Sequence, residues 1–183
     1  MSRIVYVNGE YVSEESAVIS VFDRGFLMAD AVYEVTSVLD GKLLEFDGHL
    51  KRLKRSLSEL DMQEPDAIND LLEIHRTLVR DNQVDQGGVY LQVTRGVADR
   101  DFIYPENVKS TLVMFTQSKD ILGSKLVEKG MKVISIDDLR WGRRDIKTVQ
   151  LLYPSMGKMM AKSAKCDDAW ICLLYTSDAA DES

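Results

Sequence analysis

With 183 residues, 45% hydrophobic and 29% charged, the chain has the make-up of a folded protein: one domain, or one domain plus part of another. Its net charge of −7 argues against nucleic acid as the main partner, though not against a local basic pocket for an anionic ligand. Two cysteines and two histidines give neither a disulfide framework nor a dedicated transition-metal site. No apolar run is long enough to span a membrane and no signal pattern opens the chain, so a cytoplasmic protein is expected.

Taken in order, IVYVNGEYV (residues 4–12) reads as two short strands joined through Asn8-Gly9. AVISVFD (17–23) reads as another strand. In AVYEVTSVL (31–39) the alternation puts Tyr33, Val35, Ser37 and Leu39 on one face, and Val32, Glu34, Thr36 and Val38 on the other. Asp40-Gly41 then turns the chain into a second hairpin. Leu50, Leu53, Leu57 and Leu60 predict an amphipathic helix with Asp47 as its N-cap. A second helix is predicted from about Pro65, with Ile68, Leu71, Leu72, His75, Leu78 and Val79 facing inward.

Strands return at GVYLQVTRG (88–96) and STLVMFTQ (110–117). Strands, then helices, then strands predict an α+β domain rather than a doubly wound sheet. After a polar stretch, MKVISIDD (131–138) is a strand and LRWGRRDIKT (139–148) a charged loop or short extended segment. SMGKMMAKSAK (155–165) is a helix with Pro154 in its first turn, and DDAWI (167–171) a strand with no partner left to follow it. An N-terminal domain is thus expected over residues 1–121, the start of a second over 122–171, and a dissimilar tail over 172–183.

Locally, the chemistry-bearing residues are unremarkable. Lys147 sits between the stiff β-branched Ile146 and Thr148, yet a lone lysine near Arg143 and Arg144 is ordinarily a solvated surface group. Arg52 shares its helix with Lys51, Lys54 and Arg55 and reads as an exposed charge. Tyr33 suits a half-buried sheet surface. Arg100 reads as a loop arginine paired with Asp99 or Asp101.

Four motifs in order change that weighing: DRGFLMADAVYEV (23–35), HLKRL (49–53), QVTRGVADRDFIYP (92–105) and RWGRRDIKT (140–148). Together they resemble the class IV, branched-chain-like family of pyridoxal-phosphate enzymes, nearest its D-amino-acid transaminases, over residues 3–171. The resemblance implies fold type IV: a small N-terminal α/β domain and the incomplete start of a larger cofactor-binding domain. It implies transfer of an amino group between a D-amino acid and a 2-oxo acid through a lysine–pyridoxal-phosphate aldimine, in a homodimer. Lys147 becomes the Schiff-base lysine and the proton carrier, its neutral amine favoured by partial burial near Arg143 and Arg144. Arg52 becomes the phosphate-binding arginine. Tyr33 lines the substrate site, and Arg100 reaches the neighbouring subunit's site to hold the substrate carboxylate. No metal is implied.

Two departures follow. Phe102 stands where the D-amino-acid enzymes are expected to carry a histidine, so a branched-chain transaminase or an aminodeoxychorismate lyase of the same fold is an alternative. The tail CLLYTSDAADES (172–183) replaces an expected glutamate- and hydroxyl-bearing motif and resembles a translated sequencing adapter. On that reading the chain is a fragment, catalytically inactive as it stands.

Overall fold

The computed structural model describes residues 2–172, so the tail from 173 to 183 lies outside the described residues. Asn8 and Gly9, both at positive φ, join β1 (Ile4–Val7) to β2 (Glu10–Ser13) as the turn chemistry requires. The segment 17–23 is not the predicted strand. A serine-based turn, with the Ser20 hydroxyl accepting from the Phe22 N–H at 3.1 Å, leads into Asp23, which caps the short helix α1 (Arg24–Met28). Val18, Val21 and Phe22 are left exposed.

Strand β3 (Ala31–Leu39) carries the predicted alternation: Val32, Glu34, Thr36 and Val38 are buried, and the other set is more open. Asp40-Gly41 turns it into the short β4 (Lys42–Leu43). Helix α2 (Phe46–Glu59) starts earlier than predicted. Its N-cap position is Glu45 at φ 51, without a side-chain cap, and Asp47 lies in the first turn rather than at the cap. Phe46 packs edge-on against His75 at 5.1 Å, which draws that turn onto α3 (Leu71–Asp81).

Helix α3 begins at Leu71 instead of near Pro65. Successive turns, such as Ile68 N–H to the Pro65 carbonyl at 2.9 Å, occupy the intervening residues. Ile74 is buried and Leu72 is only half-buried, because Leu71, Ile74, His75 and Leu78 keep the three-and-four spacing.

β5 (Gly87–Thr94) and β6 (Thr111–Ser118) complete an antiparallel sheet in the order β2-β1-β6-β5-β3-β4. One face packs Val89, Leu91, Val93 and Met114 with Leu53 and Leu78, the usual product of period-two and period-3.6 patterns meeting in one core.

The chain separates into two compact units, 1–121 with Asp145–Val149, and Leu122–Arg144 with the residues from Gln150 onward. The segment bearing Lys147 therefore groups with the first unit, where the sequence had placed it in the second. In the second unit α4 (Lys125–Lys129), which the sequence reading lacked, precedes β7 (Val133–Asp137), α5 (Leu152–Ser163) and β8 (Asp168–Cys172). Pro154 does lie in the first turn of α5. The predicted final strand finds its neighbour behind it in the chain: β8 pairs parallel with β7. Gly157 allows the helix to come close, since a Cβ there would meet the Ile136 Cδ1 at 2.9 Å.

Candidate active site

Lys147 is fixed by its backbone. The Tyr33 N–H donates to its carbonyl at 3.0 Å, the Val149 N–H donates to the Ala31 carbonyl at 3.2 Å, and Val32 bridges antiparallel to Thr148. The segment thus adds a short extra strand beside the start of β3. Ile146 and Thr148 turn inward and are buried, so Lys147, between them, alternates outward and is half-buried. From α2, the Ser56 hydroxyl accepts the Lys147 N–H at 3.4 Å, and Arg55 donates to the Asp145 carbonyl. The two stiff neighbours noted in the sequence are the anchors that hold the lysine.

Its amine lies 4.1 Å from the centroid of the Tyr33 ring, over a π face that attracts a cation. Tyr33 stacks on Tyr90 at 5.7 Å, and Tyr90 on Phe115 at 4.9 Å, so three rings cross the more open face of β3, β5 and β6. The Tyr90 hydroxyl donates to the Gln92 side-chain oxygen at 2.8 Å. Burial, helped by Tyr33, pushes the Tyr90 phenol up to about 12, so it stays neutral.

Glu34 points to the opposite face and is 2% exposed. Arg52 donates to it twice, from Nε at 2.6 Å and Nη2 at 2.5 Å, and His49 Nδ1 lies 2.8 Å away. The paired carboxylate raises the affinity of Arg52 for its proton. Arg52 itself remains 43% exposed at the mouth of this pair. Lys147 and Tyr33 thus meet at the start of β3, while Arg52, on α2, pairs with Glu34, the next residue of that strand.

Arg100 lies on the loop between β5 and β6. It is exposed, with its guanidinium 5.5 Å from the Phe102 ring centroid, and Phe102 is itself exposed. Asp101 turns its carboxylate to the Ile103 N–H at 3.1 Å. In the second unit Arg144 pairs with Asp138 at 2.9 Å. Arg140 foremost, with Arg144, holds the Asp138 carboxyl well below the usual range.

The sequence model of the family Amino-transferase class IV matches residues 31–175. This chain belongs to the class IV aminotransferase family. It is 40% identical over 159 residues to the D-alanine aminotransferase of Staphylococcus epidermidis, a match that covers 86% of this chain and 55% of that enzyme. The chain therefore spans about half the length of the curated relatives it matches. Among solved structures, the Escherichia coli branched-chain amino acid aminotransferase superposes with a TM-score of 0.83 at 16% identity, covering 96% of this chain and 61% of that one. The branched-chain amino acid aminotransferase of Thermoproteus uzoniensis with norvaline gives 0.76 at 16% identity, covering 96% and 61%. A further branched-chain amino acid aminotransferase, solved with pyridoxamine 5'-phosphate, gives 0.81 at 19% identity, covering 96% and 61%. At these identities the likeness establishes the fold, a partial fold-type IV architecture.

Several residues of this class IV aminotransferase segment were missed by sequence reasoning. Glu34 could have been found: an acid on the core face of an alternating strand needs a partner, and a basic helix follows it. Ser56 and Tyr90 carried no such signal, because their roles come from pairing across distant elements. A separate cavity of about 870 Å³ lies by the β3–β4 turn and α3, lined by Lys42, Phe46, Arg76 and Arg80 among others. It contains none of the Lys147 group, and Arg80 there already pairs with Asp81 at 2.9 Å. Among the described residues no helix is long and apolar enough to cross a membrane, and no group of metal-binding side chains is present.

Proposed function

We propose that the whole protein is a cytoplasmic, homodimeric aminotransferase that moves an amino group between a D-amino acid and a 2-oxo acid, using pyridoxal 5'-phosphate. The observation that carries this reading is the fixing of Lys147: its backbone is pinned to β3 and α2 while its amine stands over Tyr33. The 40% identity to a D-alanine aminotransferase supports the D-amino-acid assignment. The donor set fits the cofactor, with an amine suited to an aldehyde and a guanidinium suited to a phosphate.

When bound, pyridoxal phosphate supplies an aldehyde and a ring that takes up electrons from the substrate Cα. Lys147, in its neutral form, is the nucleophile toward the aldehyde. Once freed by an incoming amino acid, the same amine would take the proton from the substrate Cα as general base. As general acid it would give that proton to the carbon that was the cofactor's aldehyde carbon, so that the amino group stays with the cofactor. Arg52, oriented by Glu34, which His49 also meets, would hold the cofactor's phosphate. Tyr33 forms a wall beside Lys147.

Arg100 holds the substrate carboxylate, which decides the face of Cα turned to the lysine. Arg100, exposed on the loop between β5 and β6, serves a neighbouring protomer on this reading, and a homodimer is the assembly the reading needs. Phe102, an exposed apolar neighbour of Arg100, supports a second reading, a branched-chain transaminase or aminodeoxychorismate lyase.

Adding pyridoxal phosphate to the whole protein produces a near-visible absorption band that borohydride abolishes and that Lys147→Ala lacks. If the whole protein forms no lysine adduct, the aminotransferase reading fails. Comparing D-alanine, L-leucine and aminodeoxychorismate as substrates separates the two readings.

A further inference from the structure

We propose that Arg24 and Arg95, through the Asp30 carboxylate they share, are positioning residues that hold the loop presenting Arg100. This role rests on the substrate role of Arg100 given above. Both arginines are buried, at 1% and 6% exposure. Arg24 Nε meets Asp30 Oδ2 at 2.7 Å, and Arg95 Nε meets the same oxygen at 2.8 Å. Two guanidiniums on one carboxylate oxygen leave buried N–H donors that must find other acceptors.

Backbone carbonyls supply them. Arg24 Nη1 donates to the carbonyl of Asp101, the residue directly after Arg100, at 2.6 Å. Arg95 donates to the carbonyls of Leu60 and Asp61, at 2.8 and 3.0 Å, where α2 ends. Its guanidinium carbon also lies 3.6 Å from the Tyr104 ring centroid. Before Arg100, the Ala98 N–H donates to the Phe22 carbonyl at 3.2 Å. The loop is therefore gripped at residues 98, 101 and 104, and Arg100 projects from between the grips. The DRG motif and Asp30, which the Lys147 group does not use, acquire a purpose: they tie the loop of Arg100 to the core.

Hydrogen exchange on this chain carrying Arg24→Lys reads the loop without cofactor or turnover. Lysine keeps a charge opposite Asp30 but lacks the fork needed to reach the Asp101 carbonyl as well. Amides of residues 99–104 exchange about tenfold faster, while α2 and β5 keep their rates. Tyr104→Leu, a change at a half-exposed ring, loosens the same amides and serves if Arg24→Lys does not fold. In the whole protein Arg24→Lys raises KM for the D-amino acid about tenfold with kcat nearly unchanged, and adds nothing to Arg100→Gln. Unchanged exchange in both variants, with KM raised by Arg100→Gln alone, overturns the positioning role. KM unchanged by Arg100→Gln instead removes the substrate role of Arg100, and this proposal with it.

Discussion

The Tyr33 N–H donates to the Lys147 carbonyl at 3.0 Å, and the Lys147 amine lies 4.1 Å from the centroid of the same tyrosine's ring. One residue thus fixes both ends of the lysine. The backbone bond sets where the side chain starts, and the ring sets where its charge rests. Tyr33→Phe keeps both features, whereas Tyr33→Leu keeps only the first. Loss of a cation–π contact worth about 0.5–1 kcal/mol frees the amine, roughly a two- to fivefold effect. Measured as the rate of reductive labelling of Lys147, Tyr33→Phe stays near wild type and Tyr33→Leu departs by that factor.

Glu34 is the buried end of the Arg52 pair. Replacing it with glutamine keeps the volume and removes the charge that both Arg52 and His49 face. Because Arg52 is 43% exposed, it can turn to water, so the cost stays at about 1–3 kcal/mol rather than that of a stranded buried ion. Urea denaturation of Glu34→Gln measures it. A stability equal to wild type contradicts the view that this pair ties α2 to β3.

His75 makes stability depend on pH in a definite direction. Burial between α3 and β3 lowers its pKa from 6.5 to about 4, against the opposing effect of its bond to the Leu71 carbonyl at 2.7 Å. The folded state therefore disfavours the charged ring. Its contribution is complete above the unfolded value near 6.5 and is lost as pH falls from there toward 4, by at most about 3 kcal/mol. His75→Gln removes this part of the pH dependence. Denaturation midpoints at about pH 7 and pH 4.5, compared between the two proteins, show the smaller difference in the variant.

Gly96 follows Arg95 at φ 109, and a Cβ there would run into the Lys109 carbonyl oxygen. Gly96→Ala therefore meets both the wrong backbone region and a fixed backbone neighbour, at a cost of about 2 kcal/mol or more. A thermal melt checks this. Gly41→Ala, where φ is also positive but no neighbour lies within 4 Å, loses less.

The fold was largely readable wherever a local pattern decided it. Alternation in β3 assigned Val32 and Glu34 to one face and Tyr33 to the other, and Asn8-Gly9 and Asp40-Gly41 marked their turns. Failures came where a distant contact or a local side-chain bond prevailed. Val18, Val21 and Phe22 have strand-forming side chains, yet Ser20 and Asp23 bend their segment into a turn and a cap. Phe46 extends α2 backward because His75 lies beside it.

At the site, Lys147, Tyr33 and Arg52 were selected through ordered motifs, since nothing in their own neighbourhoods distinguished them. Glu34 needed only the rule that a buried acid requires a partner. The Arg24, Asp30 and Arg95 cluster was not legible, because residues as distant in the chain as Arg24 and Arg95 give no sign that they share an oxygen atom.

The most direct test of the central claim is peptide mapping of the whole protein after pyridoxal phosphate and borohydride. One cofactor-derived mass is expected, on the peptide containing Lys147, with its loss in Lys147→Ala. A label distributed over Lys51, Lys54 and other surface lysines, and unaffected by Lys147→Ala, would contradict it.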